Sequence, residues 1–332
     1  MSVIPLLVCD DSSMARKQVL RALPADWSVS ITEASDGRQG LEAIRQGLGQ
    51  VVLLDLTMPE MDGYQVLAAM RAEGLTAQVI VISGDVQEEA VRRVRALGAL
   101  AFLKKPFDES ELRHTLGELG LLGAPGQALA APRKAPSVEI SFRDAFRETV
   151  NVAIGRAAAL IAKVLGVFVQ LPVPNVNILE VGELHMALMD AGSCQQLTAI
   201  CQGFIGSGIA GEALLMFHDS EIADMAELMK RQGPEYSDLE MLLDLSSVLI
   251  GACLSSIAEQ IDVVFSQGHP QILGQHAAID ELIRVNGQRW KKTLAVEISY
   301  SLEGHDIHFD LLLLFTEDSI ERLTHKLAYL MN

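Results

Sequence analysis

The sequence predicts an α/β protein: an N-terminal doubly wound, five-stranded parallel sheet, then an α+β domain with an internal duplication and a mostly antiparallel sheet flanked by long helices. Three observations support this. Apolar strands alternate with amphipathic stretches five times in residues 3–120. A segment rich in proline and glycine follows. Beyond it, two similar apolar segments recur at a fixed offset, which indicates two related halves.

The first part of the chain shows the pattern of a parallel sheet covered by helices on both faces. Short apolar runs typical of buried strands are separated by stretches with helical periodicity. The predicted strands are Val3–Cys9, Val29–Ala34, Val51–Asp55, Val79–Ser83 and Ala101–Leu103, and the predicted helices are Ser12–Ala22, Gly37–Gln46, Gly63–Glu73, Gln87–Leu97 and Ser110–Leu119. We therefore assign residues 1–122 to one domain.

A linker and a second domain are expected after residue 122. Residues 123–137 contain three prolines without hydrophobic periodicity, which is typical of a semi-extended linker. Residues 138–332 then show two long helices, near 139–166 and 237–260, shorter helices near 219–232 and 317–330, and strands near 196–205, 210–217, 294–303 and 306–315. The segments 213–217 and 311–315 are alike and are offset by 315 − 217 = 98 residues.

Charge and hydropathy restrict the class of partner. The formal net charge is −17, and residues 138–332 hold 12 basic against 26 acidic side chains. Because nucleic-acid affinity comes largely from Lys and Arg neutralising phosphates, we expect no nucleic-acid partner. No apolar run approaches the roughly 18 residues of a membrane-spanning helix, so we expect no membrane partner and a cytoplasmic location. The sequence leaves the oligomeric state open, a homodimer included.

Polar side chains follow the strands of the predicted parallel sheet. Asp10 and Asp11 follow the first strand, Asp55 ends the third, Ser83 the fourth, and Lys105 follows the fifth. The carboxyl ends of parallel strands meet in one crevice, so these groups are expected to converge. Three carboxylates in one crevice suit Mg2+, and one of them can act as a nucleophile toward a phosphodonor.

These residues resemble the receiver domain of two-component response regulators over about 120 positions. The resemblance implies that Asp55 accepts a phosphoryl group from a histidine kinase with Mg2+ bound by Asp10, Asp11, Asp55 and the backbone carbonyl of Thr57. It also implies that Lys105, beside Pro106, neutralises the phosphoryl oxygens, and that Ser83 and Phe102 are the switch residues. On phosphorylation Ser83 would move toward the new charge and Phe102 would turn inward.

The first long helix of the second domain has a polar face opposite its apolar stripe. Phe142, Phe146, Val150, Ile154, Ala157, Ile161 and Leu165 form the stripe at helical spacing. Asp144, Glu148, Asn151 and Gly155 share the other face, where neighbours three or four positions apart can act on one target. We expect Glu148 and Asn151 to project into solvent. A polar solvent-facing stripe without function is the alternative interpretation of this face.

The spacing Asp144-x3-Glu148-x2-Asn151-x22-Pro174 resembles the signature of the CheC-like chemotaxis phosphatases, whose duplicated domain has about the length of residues 138–332. The resemblance implies hydrolysis of an aspartyl phosphate on a CheY-like receiver, with Asn151 orienting water, Glu148 pairing with the receiver's lysine, and Asp144 in support. In the second half Pro270 again lies 23 residues after Ser247. There Glu240, Asp244 and Ser247 depart from the signature, so we expect this half-site to be degenerate and inactive.

Two other functions are compatible with the same residues. The helix could remove the phosphoryl group from the chain's own Asp55, an action in cis. It could also be a phosphorylation-controlled binding module or scaffold without catalysis. The sequence does not decide between these, nor whether phosphorylation of Asp55 activates or inhibits.

Overall fold

The computed structural model describes residues 3–122, 140–179, 196–230, 237–277 and 293–331. The chain divides into two compact units, residues 1–148 and residues 149–330, and the division falls inside a long helix. The predicted linker, 123–137, lies outside the described residues. The boundaries assigned from the sequence therefore stay predictions.

The first unit contains a five-stranded parallel sheet in the order β2-β1-β3-β4-β5. Helices alternate with these strands and both faces of the sheet carry a buried apolar cluster, which confirms the predicted doubly wound fold. The elements are β1 Ile4–Cys9, α1 Ser13–Ala22, β2 Val29–Ala34, α2 Gly37–Arg45, β3 Val51–Leu54, α3 Gly63–Glu73, β4 Gln78–Ser83, α4 Glu88–Ala96, β5 Ala101–Lys104 and α5 Glu109–Glu118.

The helix starts of this unit follow local side-chain chemistry. Ser12, Asp36, Asp62 and Asp108 each accept a hydrogen bond from a backbone N–H of the first turn. Such caps satisfy donors that have no partner inside the helix. These caps mark where α1, α2, α3 and α5 begin, whereas α4 begins after Gln87 without a side-chain cap.

The second unit is built on an eight-stranded antiparallel sheet with the central order β10-β8-β9-β13-β12-β6, while β11 pairs with β8 and β7 pairs with β12. Its elements, which include most of the helix at the division, are α6 Phe142–Leu165, β6 Val169–Gln170, β7 Asn175–Leu179, β8 Leu197–Gly206, β9 Ile209–His218, a 3-10 turn Asp219–Glu221, α7 Ile222–Lys230, α8 Asp238–Gln260, β10 Ser266–Gln267, β11 Gln271–Ala277, β12 Thr293–Leu302, β13 His308–Thr316 and α9 Glu317–Met331.

The order of elements repeats, as the predicted duplication requires. Each half has a long helix, a two-residue strand, a second strand, a long hairpin and a closing helix. The hairpins meet where β9 pairs with β13, and Leu214 there lies opposite Leu312, its counterpart at the offset 312 − 214 = 98. Pro174 and Pro270 directly precede the equivalent strands β7 and β11. The second unit is thus a pair of similar halves joined through their hairpins.

The four strands β6, β7, β10 and β11 were missed by the sequence analysis. Two of them have only two residues, and β7 and β11 follow a proline in stretches without clear alternation. Each pairs with a hairpin strand of the other half of the unit, β6 and β7 with β12 and β10 and β11 with β8. Such short strands are specified by the partner strand rather than by their own hydrophobic pattern.

The expectation that no segment is apolar enough to cross a membrane was wrong for α8. By length and composition this helix is long and apolar enough to span a membrane, although 61% of its apolar window is buried within the protein. Burial of that kind is typical of a core helix, and a single such helix is weak evidence for a membrane span. Within the second unit α8 packs on β8 and β9, and Gln260 donates a hydrogen bond to the carbonyl of Thr149 in α6.

The start of α8 provides a test of this local account. Ser237 is its N-cap, and Glu240 closes a capping box by accepting from the Ser237 backbone N–H. We expect Ser237→Ala to lower the free energy of unfolding by about 1 kcal/mol, because a backbone donor loses its partner. Glu240→Gln, which keeps the box, should change it little. Urea unfolding measures both, with the exposed mid-helix substitution Ser255→Ala as the control; equal stabilities of all variants would contradict the capping role.

Candidate phosphorylation and metal site

The predicted polar groups converge at the carboxyl edge of the parallel sheet. Asp10 and Asp11 directly follow β1, Asp55 directly follows β3, Ser83 ends β4, and Lys105 directly follows β5. These strands are neighbours in the sheet, so their loops open onto the same crevice. The structure therefore brings together the residues that the sequence analysis selected.

Lys105 lies at the centre of the crevice, and its side chain is almost fully buried. Its Nζ is 2.7 Å from Oδ2 of Asp10, 3.1 Å from Oδ1 of Asp55 and 3.1 Å from Oε1 of Glu148. The Lys105–Pro106 peptide bond is cis. One ammonium group thus faces three carboxylates in a place that water scarcely reaches.

The third of these carboxylates comes from α6, whose first two turns, up to Glu148, belong to the first unit. Glu148 is 4% exposed and is also hydrogen-bonded to the side chain of Ser12. Its neighbour Arg147 lies with Nη2 3.4 Å from Oδ2 of Asp11. The start of α6 therefore contributes one negative and one positive charge to the crevice.

Burial and crowding shift the acid–base behaviour of these groups. Burial raises the pKa of Asp55 well above its ordinary value, against the attraction of Lys105 and with the repulsion of Asp10. Burial, with repulsion from Asp10, raises the pKa of Asp11 to about 6, while Arg147 opposes the shift. Burial likewise raises the pKa of Glu148. Burial alone would lower the pKa of Lys105, but Asp10, Asp55 and Glu148 raise it well above the usual range. The positive charges of Lys105 and Arg147 are thus too few to neutralise the carboxylates of the crevice.

The same crowding fits a divalent cation. One oxygen from each of Asp10, Asp11 and Asp55 lies within 4.8 Å of the others, and carboxylate oxygens are the ligands that Mg2+ prefers. Among the described residues, Oδ1 of Asp55 is buried and receives no well-directed hydrogen bond, although Lys105 lies near it. The residues present therefore fit the predicted metal. No observation tests the backbone carbonyl of Thr57 as a ligand, and that role stays a prediction.

The loop after Asp55 is held close to the site. The Thr57 backbone N–H donates to Oδ2 of Asp55 at 3.1 Å, and the Gly63 N–H donates to the carbonyl of Leu56 at 3.0 Å. A Cβ at Gly63 would overlap the carbonyl oxygen of Asp55. Only glycine allows α3 to begin against the backbone of the phosphoacceptor position.

The two predicted switch residues lie on neighbouring strands. Ser83 is buried, and its Oγ accepts a hydrogen bond from the backbone N–H of Asp85 at 3.1 Å. Phe102 on β5 is half-buried and packs against the apolar cluster on one face of the sheet. Their positions suit the predicted coupling, whereas the movement itself stays a prediction.

The expectation that Glu148 and Asn151 project into solvent was wrong. Both are buried, and Asn151 is only 8% exposed. For Glu148 the physical reason is its ion pair with Lys105, which offsets the cost of desolvating a carboxylate. Asp144 remains half-exposed, and its Oδ2 accepts a hydrogen bond from Ser141 Oγ at 2.9 Å. Since Ser141 also accepts from the Asp144 backbone N–H, this pair closes the first turn of α6.

Two of the three residues of the predicted degenerate half-site, Glu240 and Ser247, make local contacts at α8, unlike Glu148 of α6. Glu240 closes the capping box of α8, the exposed Asp244 lies one turn later, and Ser247 donates its hydroxyl to the carbonyl of Leu243 at 3.0 Å. A serine that bonds back to its own helix has its donor engaged. This arrangement is consistent with the predicted inactivity and does not test it.

Two participants, Arg147 and Ser12, were missed by sequence reasoning. Ser12 resembled an ordinary helix cap, which it is, with the hydrogen bond to Glu148 in addition. Arg147 lies one position outside the recognised polar face of its helix. Its one available signal was a basic residue next to Glu148 in a strongly acidic region.

Comparisons with known proteins agree with this geometry. Residues 6–117 match the family model for the response regulator receiver domain. The transcriptional regulatory protein NarL of Mycobacterium tuberculosis is 39% identical over 110 residues, which are 33% of this chain and 51% of NarL. The protein-glutamate methylesterase/protein-glutamine glutaminase of Symbiobacterium thermophilum is 35% identical over 143 residues, 42% of this chain and 39% of the relative. The matches thus span about half or less of these curated relatives.

A solved structure resembles a larger share of the chain. The crystal structure of FliY from Thermotoga maritima is similar over 61% of this chain and 99% of its own, with 14% identity and a TM-score of 0.43. Values this low establish neither the family nor the activity of the second unit.

The crowded carboxylates give a test by stability. We expect Asp55→Asn to raise the free energy of unfolding at neutral pH without metal by about 1 kcal/mol or more, because it removes a buried, under-compensated charge. The sign follows from the raised pKa of Asp55: its ionised form at neutral pH costs stability in the folded state. Denaturant unfolding in EDTA measures the change, with Glu60→Gln in the exposed loop as the control. A destabilised Asp55→Asn protein would refute the argument.

Proposed function

Because residues 6–117 are a response regulator receiver domain, we propose that this chain is a two-component response regulator whose α6 catalyses hydrolysis of an aspartyl phosphate, with its own Asp55 as the favoured substrate. The observation that carries the proposal is the buried ion pair between Lys105 and Glu148. It corresponds to the contact that the predicted phosphatase role assigns to Glu148, namely pairing with a receiver's lysine beside the phosphoacceptor.

The receiver part of the proposal concerns phosphorylation. A histidine kinase supplies the phosphoryl group, and Asp55 attacks as a carboxylate. Asp10, Asp11 and Asp55 would hold Mg2+, which would supply positive charge to the phosphoryl oxygens. Lys105 offers a donor to the same oxygens from 3.1 Å away from the Asp55 carboxylate. Ser83, on the neighbouring strand, moves toward the new charge, and Phe102 then turns inward.

The hydrolytic part concerns α6. Asn151 lies three positions after Glu148, which places the two on the same face of the helix. In the proposed reaction Glu148 pairs with the lysine beside the phosphoacceptor, and the Asn151 amide orients the attacking water molecule. The water oxygen bonds to phosphorus, the bond from phosphorus to the Asp55 carboxylate oxygen breaks, and the water proton leaves on inorganic phosphate. Orientation suffices because an acyl phosphate has a good leaving group.

The choice of substrate follows from the same contact. The resemblance to the CheC-like phosphatases favours a separate CheY-like receiver as substrate and leaves action in cis open. In the structure the lysine that Glu148 meets is Lys105 of the same chain, in the same crevice as Asp55. Action in cis is compatible with this contact, whereas action on a separate receiver requires Glu148 to leave it. A CheY-like receiver therefore becomes the second candidate substrate.

Asn151 provides the test of hydrolysis. We expect Asn151→Ala to slow the loss of phosphate from Asp55 by at least about tenfold, since a lost transition-state donor typically costs that much or more. The full-length protein is phosphorylated with acetyl phosphate and Mg2+, the donor is removed by desalting, and phosphate release is followed in time. Ser247→Ala, at the corresponding position of the second half, is the matched control and should leave the rate unchanged. An Asn151→Ala rate equal to the wild-type rate would end the phosphatase proposal.

A mixing experiment separates cis from trans action. The Asp55→Asn variant, which has no phosphoacceptor but keeps Asn151, is added to the phosphorylated Asn151→Ala variant. If the helix acts only in cis, the added variant should leave the slow dephosphorylation of its phosphorylated counterpart unchanged at every concentration. Acceleration proportional to the concentration of the Asp55→Asn variant would show action between molecules and would favour a separate receiver as substrate.

The non-enzymatic alternative is a binding module that uses the same helix face. Glu148 already occupies the unphosphorylated site, which a purely binding helix would also do. Under this alternative Asn151→Ala changes no dephosphorylation rate, while Glu148→Gln still weakens the hold of α6 on the site.

A further inference from the structure

We infer that Arg147 competes with Mg2+ for Asp11, so that metal binding and the seating of the first turns of α6 oppose each other. Nη2 of Arg147 is 3.4 Å from Oδ2 of Asp11. The Asp11 side chain is 8% exposed and the Arg147 side chain 30% exposed, so the pair lies at the mouth of the crevice. This inference rests on the proposed metal site and not on phosphatase activity.

The single carboxylate of Asp11 has two possible cationic partners, Arg147 and Mg2+. It is one of the three residues whose oxygens can surround an ion, and Mg2+ requires ligand oxygens at about 2.1 Å. If Arg147 kept its present contact, its guanidinium and the metal would lie on the same carboxylate, a few ångströms apart. Like charges at that separation repel strongly where water is scarce.

Lys105 also contacts two of the metal-binding carboxylates, but three short ion-pair distances and burial hold it in place. Lys105 is buried and pairs with Asp10 and Asp55 on loops that follow strands of the same sheet. Arg147 instead reaches the site from α6, is partly exposed, and has a side chain long enough to turn toward solvent. Of the two cations, Arg147 is the one that the metal can displace.

The charges that face the pair are consistent with this exchange. Asp10, Asp11, Asp55 and Glu148 bring four carboxylates to the crevice against Lys105 and Arg147. Arg147 therefore compensates part of the excess negative charge in the metal-free protein. Coupling between two binding events is reciprocal. The factor by which the Arg147–Asp11 contact weakens Mg2+ binding therefore equals the factor by which bound Mg2+ weakens the contact of the first turns of α6 with the site.

The experiment is a calorimetric titration of MgCl2 into the full-length, unphosphorylated protein. We expect Arg147→Gln to bind Mg2+ at least about fivefold more tightly than the wild type, which is the lower range of couplings between linked sites. Arg147→Lys, which keeps the charge, should stay closer to the wild type. The matched control is Lys163→Gln, the same charge change on the same helix about 24 Å away, beyond the reach of direct charge effects.

Hydrogen exchange of residues 142–148 provides the second readout. Mg2+ should speed the exchange of this segment in the wild type and have a smaller effect in Arg147→Gln, where the opposing contact is already gone. Equal affinities of Arg147→Gln and Lys163→Gln, or weaker binding by Arg147→Gln, would overturn the competition. Absence of Mg2+ binding in every variant would overturn it too, by removing the metal site on which it rests, and would leave the hydrolysis test on Asn151 to be judged separately.

Discussion

The ammonium group of Lys105, enclosed by more carboxylates than it can neutralise, is the constraint on which the rest of the site depends. The parallel sheet creates it by ending β1, β3 and β5 at one edge, each strand delivering its charged residue to the same crevice. Lys105 cannot leave, because burial and three short ion-pair distances hold it. Asp10, Asp55 and Glu148, the last at the start of α6, each lie within 3.1 Å of this one cation.

A site with unbalanced charge is well suited to a switch. In the proposed function a metal ion, a phosphoryl group and the charged residues of α6 use the same few groups, so the binding of each would change the free energy of binding the others. A fully neutral, hydrogen-bonded crevice would have no such sensitivity. The raised pKa values of Asp11, Asp55 and Glu148 express the same imbalance, since each of these groups is harder to ionise than it would be in water.

Sequence reasoning predicted most of the fold because the patterns were local and strong. The receiver sheet, the hairpins and both long helices of the second unit lie within a few residues of their predicted bounds. The short strands β6 and β10 were missed since two residues carry no periodicity and depend on a distant partner strand.

In the site, the loop residues after each strand were predictable from topology. The partner of Glu148 was not, because a charged residue opposite an apolar stripe is expected to face water, and only tertiary structure shows Lys105 beside it. Arg147 was missed for the same reason.

The contact between Lys105 and Glu148 is the central claim, and a double-mutant cycle on unfolding tests it most directly. Lys105→Met, Glu148→Gln and the double variant are compared with the wild type by urea unfolding of the full-length protein in EDTA. The account predicts a coupling energy above about 1 kcal/mol, since the two charges are buried and 3.1 Å apart. A coupling energy near zero would show that Glu148 does not meet this lysine in solution and would contradict the account.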